Sequence, residues 1–148
     1  MTAPLSPREL AAVPLSGALR ELGYWWNRHD LARSVALYAT DYEGVDVGCG
    51  IVQHGPTAAG RCLAAYWEAF PDLRIAVEEL VVEEDRVALA WRTRGRHLGT
   101  FMNIPPTGRR VTLRGVSLLT VQGGLVRRAT HVWDVAGFLR AVRLLPDL

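Results

Sequence analysis

The side chains suited to moving protons are few. The chain carries four histidines, His29, His54, His97 and His131. An imidazole titrates near pH 6.5, so it can take and return a proton close to neutrality. His97 lies in GRHLG and His131 in RATHVWD, both within segments that alternate apolar and polar residues. His29 and His54 read as exposed loop or helix-end residues. Ser117, in RGVSLLT, is a candidate to orient His131 or to hold a ligand; no G-x-S-x-G elbow surrounds it, which argues against a nucleophile. All 17 positive charges are arginine, so a Schiff-base lysine is excluded and carbonyl chemistry must run through acid–base catalysis or shape. His97 and His131, with no third histidine, cysteine or inward carboxylate beside them, make a poor metal site. No glycine motif cradles a phosphate or a dinucleotide. No cofactor and no metal are expected.

These residues need a frame. Residues 1–14 hold three prolines and small residues and read as a loose arm, with a turn of helix at Pro7–Ala12. Leu15, Leu19, Leu22 and Trp26 recur at helical spacing, and Asp30 can cap a second short helix bearing Leu31, Val35 and Tyr38. The stretch TDYEGVDVGCG reads as turns around a short strand at Val45–Val47. Pro56 and Thr57 start a third helix, with Ala59, Leu63, Tyr66 and Phe70 on its face and Pro71 as its stop. The period then changes to two. Leu73, Ile75 and Val77 alternate with polar or small residues, and so do Val87, Leu89, Trp91, Thr93, Gly95 and His97. Val111, Leu113, Gly115, Ser117 and Leu119 form the next set, Gly123–Gly124 the hairpin turn, and Leu125–Trp133 the last strand. A short helix over Val135–Val142 closes the chain, capped by Asp134. Helices first and antiparallel strands after them give an α+β fold, a single domain over 15–148.

Strand parity points to a cavity. One face of the Trp91 strand carries Trp91, Thr93 and His97, the other three arginines. The same parity on the last strand groups Arg127, Ala129, His131 and Trp133. If these faces coincide, His97, Ser117 and His131 look into the space between sheet and helices. Trp67, Trp91, Trp133 and Tyr24 could wall a flat ligand, with core packing as the alternative for the tryptophans. Phe101 and Met102, before PPTG, are further candidate contacts.

Composition sets the partners. A net charge of +2, with 15 acidic residues offsetting the arginines and no aromatic among the outward arginines of the Trp91 strand, argues against nucleic acid. No apolar run reaches the length of a membrane span. Two cysteines make no disulfide framework, and the N-terminus lacks a secretory pattern, so a cytoplasmic location is expected.

The segments WNRHDLA, AFPDL, EDRVALAWRTRGRHLGTFMNIPPTGRRV, GVSLL, the GG turn and HVWDVAGFLR resemble the SnoaL-like branch of the nuclear-transport-factor-2-like superfamily. The resemblance spans roughly Leu15 to Leu144. It implies a cone: a curved, mixed, mostly antiparallel sheet wrapped around three helices of the N-terminal half. It also implies a homodimer formed through the sheet. Polyketide cyclases of this type close rings by an intramolecular aldol reaction without a cofactor. They carry an aspartate where this chain has His131, and a polar partner where it has Ser117. Limonene-epoxide-hydrolase relatives need an Asp–Arg–Asp arrangement that is missing here. The expectation is a cofactor-free cyclase or ring-rearranging enzyme of bacterial natural-product assembly, acting on a hydrophobic small molecule. His131 would be general acid or base. Ser117 or His97 would orient it or hold the polarised carbonyl; for His97, support of the 99–110 loop is the alternative. A cofactor-independent hydroxylase, an epoxide-opening cyclase and a non-catalytic binding module are the rivals.

Overall fold

A computed structural model describes residues 16–148 together with Ser6 and Arg8. Leu15, and the arm read at 1–14 apart from those two positions, lie outside the described residues. The order is α1 (Ser16–Asn27), α2 (Leu31–Val35), β1 (Tyr38–Asp46), β2 (Ile51–His54), α3 (Gly55–Ala69), β3 (Arg74–Glu83), β4 (Arg86–Arg96), β5 (Arg110–Gln122), β6 (Leu125–Trp133) and α4 (Val135–Ala141). The strands form one sheet in the order β2-β1-β6-β5-β4-β3. Only the β1–β6 pairing is parallel, so the sheet is mixed and mostly antiparallel, as expected. Helix α3 packs on β1 and β2, α1 on β3, and α4 on β5.

Local chemistry explains the boundaries. Asp30 accepts from the Arg33 N–H and caps α2, and Asp134 accepts from the Gly137 N–H and caps α4. Pro56 sits in the first turn of α3, where its missing N–H costs nothing. Gly123 and Gly124 both have positive φ, 58° and 74°, which a tight hairpin between β5 and β6 requires. At the other end of α1, Asn27 donates to the Ile75 carbonyl (3.1 Å) and accepts from the Ile75 N–H (2.7 Å). His29 Nε2 bonds the Leu73 carbonyl at 2.7 Å. These contacts seat the end of α1 on the start of β3. His29 is therefore half-buried and structural rather than exposed, whereas His54 is exposed.

Two expectations about the strands are corrected. First, β1 is longer than Val45–Val47, and the residues it turns inward are Tyr42, Gly44 and Asp46; Val47, just beyond it, is 52% exposed. Second, β6 does not keep one parity. Val121 pairs with Val126, but Thr120 pairs with Arg128, so Arg127 is an extra residue, a β-bulge. Arg127 consequently leaves the inward set and lies on the surface, bonded to Asp41 and to Gln122.

The core has two buried clusters. One surrounds Phe70, Leu73, Leu113 and Phe138, the other Tyr42, Ala59, Leu119 and Val121. Partly buried Tyr38 and Trp91 pack against both.

Candidate active site

A cavity of about 1000 Å³ lies between α1, α3 and the inner sheet face. Such a volume suits a drug-sized organic ligand. Its polar floor comes from register. Asp46 on β1 is the Cα partner of His131 on β6, and His131 is the partner of Ser117 on β5. All three border the cavity. The next inward row is Trp133, Gly115 and Trp91. A Cβ at position 115 would sit 2.5 Å from Trp91 Cζ2 and 2.5 Å from the Val132 carbonyl oxygen, so only glycine lets the two indoles stand on either side.

The hydrogen bonds at Ser117 set the state of His131. The Trp91 indole N–H donates to Ser117 Oγ at 2.9 Å. Ser117 Oγ lies 2.6 Å from His131 Nδ1. The hydroxyl has one proton, and Nδ1 is the acceptor available for it, so the neutral ring is assigned its proton on Nε2. Nε2 has no protein partner among the described residues and remains for a ligand. Burial pushes the His131 pKa below the ordinary histidine value; the nearby Asp46 charge opposes this more weakly. The group is thus neutral at pH 7, with a donor toward the cavity.

Asp46 is the residue that sequence reasoning missed. It is 3% exposed and holds three donors: the Cys49 N–H (3.0 Å) and Trp133 Nε1 (2.9 Å) on Oδ1, and the Tyr66 hydroxyl (2.5 Å) on Oδ2. Burial, reinforced by the Asp46 charge, raises the Tyr66 pKa, which keeps that phenol protonated and donating. Gly48 makes the Trp133 bond possible, since a Cβ there would lie 2.0 Å from the indole nitrogen. Tyr42, Gly44 and Asp46 do recur with the period of a strand, but a stretch read as turns around a short strand at Val45–Val47 gives these residues no face. An inward carboxylate does therefore stand beside His131, contrary to expectation. It is a framework group that fixes one wall. Tyr38 also lines the cavity, and burial raises its hydroxyl to about 12.

The remaining candidates divide. Trp91, Trp133 and half-exposed Tyr24 border the cavity. Trp67 does not; it is 8% exposed, stacked on His29 at 4.9 Å and set edge-on to Trp26, which takes its place on the wall. His97 is fully buried outside the lining, between Phe70 and Phe138, with Nδ1 3.0 Å from Thr107 Oγ1. Its parity is inward, but it lies four residues beyond Thr93, past the cavity and inside the aromatic core, where it braces the 99–110 loop. Burial depresses its pKa. Phe101 and Met102 are also off the wall. Met102 and Asn103 both have positive φ, and the Phe101–Ile104 bridge closes around them as a tight turn. That turn sends Phe101 into the core and leaves Met102 exposed. No group of three or more His, Cys, Asp or Glu among the described residues could hold a metal ion. No described helix is long and apolar enough to cross a membrane.

Known structures share the fold. AclR from Streptomyces galilaeus, provisionally described as a hydroxylase, superposes with a TM-score of 0.80 at 28% identity, covering 91% of this chain and 88% of that one. TsrD from Streptomyces laurentii gives 0.79 at 20% identity, covering 88% and 96%. IdmH from Streptomyces antibioticus, provisionally described as a polyketide cyclase, gives 0.77 at 23% identity, covering 88% and 99%. No protein of curated function matches the chain. The family model for the SnoaL-like polyketide cyclases matches residues 17–142, and the chain belongs to that family.

Proposed function

We propose that the protein is a cofactor-free cyclase or ring-rearranging enzyme acting on a hydrophobic polyketide-type intermediate, with His131 as its acid–base group. The observation that carries this reading is the unpartnered Nε2 of His131 on the wall of a cavity that its tryptophans border without filling. A 1,3-dicarbonyl compound supplies its own enol as carbon nucleophile. Folded into the cavity, the enol carbon attacks a ketone of the same chain. The ketone oxygen becomes an alkoxide facing the Nε2–H, which stabilises it by a fixed hydrogen bond and gives up its proton. The ring recovers a proton from the former enol oxygen, so nothing is oxidised and no cofactor is consumed. Trp91 and Ser117 are positioning residues that hold the imidazole. Confinement adds to the rate by bringing the reacting carbons together. A second reading, a hydroxylase, draws on the likeness to AclR.

The test is incubation with uncyclised poly-β-ketone N-acetylcysteamine thioesters, followed by mass spectrometry. Ring closure gives a product of equal mass, or lighter by one water; hydroxylation gives one oxygen more. His131→Ala should lower the rate at least about 100-fold, the usual scale for losing a proton-transfer group. Unchanged turnover in that variant removes His131 from the chemistry, and no product from any thioester favours a binding module. The same proposal includes a homodimer through the outer sheet face, where Val116, Leu118 and Val132 are 44%, 47% and 49% exposed.

A further inference from the structure

The cavity has a floor and a mouth of different character. Asp46 is the only acidic residue that borders it among the described residues, and its oxygens are occupied by three protein donors. Three arginines also border it, Arg20, Arg28 and Arg74, and none of them forms an ion pair among the described residues. Their arrangement is built. Arg20, Tyr24 and Arg28 recur at steps of four along α1 and its end, hence on one stripe of the helix. The Arg28 guanidinium stands 4.3 Å over the Tyr24 ring, which orients it and leaves its N–H donors free. Arg74 is brought close by the bonds of Asn27 to Ile75 and of His29 to Leu73. Arg28 lies between the first members of these two pairs and Arg74 between the second. Neutral hydrogen bonds thus hold the backbone of Arg28 beside that of Arg74, and both side chains border the cavity without an ion pair among the described residues. Below them, Thr93 is 3% exposed, borders the cavity, and has a hydroxyl without a partner.

We propose that the substrate carries a carboxylate, held at the mouth by Arg28 and Arg20 with Arg74 at the rim, while its uncharged carbonyl end reaches His131. This assignment deepens the reading above and rests on it for the orientation of the carbonyl end. The apolar stretch between the two ends, walled by Leu22, Val77, Leu80 and Trp91, takes the hydrocarbon body. Thr93 offers a hydroxyl to an oxygen along that body. The site therefore selects a compound that is flat or foldable, apolar in its middle and acidic at one end, and the upstream reaction must leave a free acid or release one by hydrolysis.

Two probes of one shape separate the charge from the rest: anthraquinone-2-carboxylate and anthraquinone-2-carboxamide. Binding is read from quenching of tryptophan fluorescence, at low salt and again at 0.5 M NaCl. The carboxylate should bind about tenfold more tightly than the amide, as expected for charge-assisted contacts from two partly exposed arginines, and added salt should erode that preference. Arg28→Gln and Arg20→Gln should each reduce the preference severalfold, weakening the carboxylate more than the amide. Equal affinities, no binding of either probe, or a preference untouched by both substitutions would overturn the assignment. The His131 reading is judged separately, by turnover of the neutral thioesters, so either proposal can fail alone.

Discussion

Replacing Ser117 by alanine tests the core of the site. The substitution removes one oxygen that is 4% exposed and joins two groups from different strands, the Trp91 indole at 2.9 Å and His131 Nδ1 at 2.6 Å. Each hydrogen bond is worth about 1 kcal/mol net, and a buried group left without a partner costs about 1–3 kcal/mol. Both orphaned groups border the cavity, so water can reach them and soften the penalty; about 2–3 kcal/mol is the reasonable sum. For a chain of this size each kcal/mol moves the melting temperature by roughly 2–4 °C, so the loss should be about 4–12 °C. Thermal unfolding followed by circular dichroism gives that number. The second readout is the tautomer. In the parent protein, 15N shifts of His131 should show protonation at Nε2; in Ser117→Ala, with the hydroxyl donor gone, both tautomers should appear. A melting temperature within 1 °C of the parent, together with an unchanged tautomer, would refute the assignment of Ser117 as the residue that holds the imidazole.

Other outcomes follow from the same contacts. Asp46→Ala strands three donors and should destabilise by at least about 3 kcal/mol in urea unfolding, since bonds to a charged acceptor are worth about 1.5–3 kcal/mol each; Asp46→Asn, which keeps an acceptor, should cost less. The His131 and His97 pKa values are depressed, so the folded state binds fewer protons than the unfolded chain between those values and about 6.5. Stability should be fully present above about pH 7 and fall as the pH drops from 6.5 through the folded values, and His131→Phe should flatten that limb of a pH series of unfolding curves. Leu118→Glu and Val132→Glu should convert a dimer to a monomer in light scattering without lowering the helix and strand content. Gly48→Ala should shift the Trp133 indole off Asp46, seen as a changed Trp133 side-chain N–H resonance.

The sequence made some of this legible and left the rest dark for physical reasons. Alternation along β4 correctly separated Trp91, Thr93 and His97 from the arginines, because a strand buried on one face must alternate. The caps at Asp30 and Asp134 and the Gly123–Gly124 hairpin were legible because each is decided within a few residues. Parity, however, says which face a residue takes and not how far along the cavity it lies. That is why His97 was grouped with Ser117 and His131, although it stands among Phe70 and Phe138. Asp46 escaped because its partners Tyr66 and Trp133 are 20 and 87 residues away, and nothing local marks them. Phe101 and Met102, both expected as ligand contacts, leave the wall through a two-residue turn in left-handed backbone that neither Met nor Asn advertises strongly.

The bulge at Arg127 reaches further than its place on the surface suggests. Counted from the hairpin, an unbulged β6 would turn Val126, Arg128, Thr130 and Val132 inward, and His131 would face out beside Arg127's own surface. The one unpaired residue reverses that order, so Ala129, His131 and Trp133 look inward instead. Its side chain is anchored outside by Asp41 and Gln122, on the opposite side of the sheet from the chemistry. Deleting Arg127 would close the ladder and leave Ser117 opposite His131, whereas drawing Arg127 into the ladder would slip the rest of β6 by one residue and trade a histidine-and-tryptophan wall for a threonine-and-valine one. A lineage built on this frame can exchange one reactive surface for another by a slip of one residue, without redesigning a single side chain.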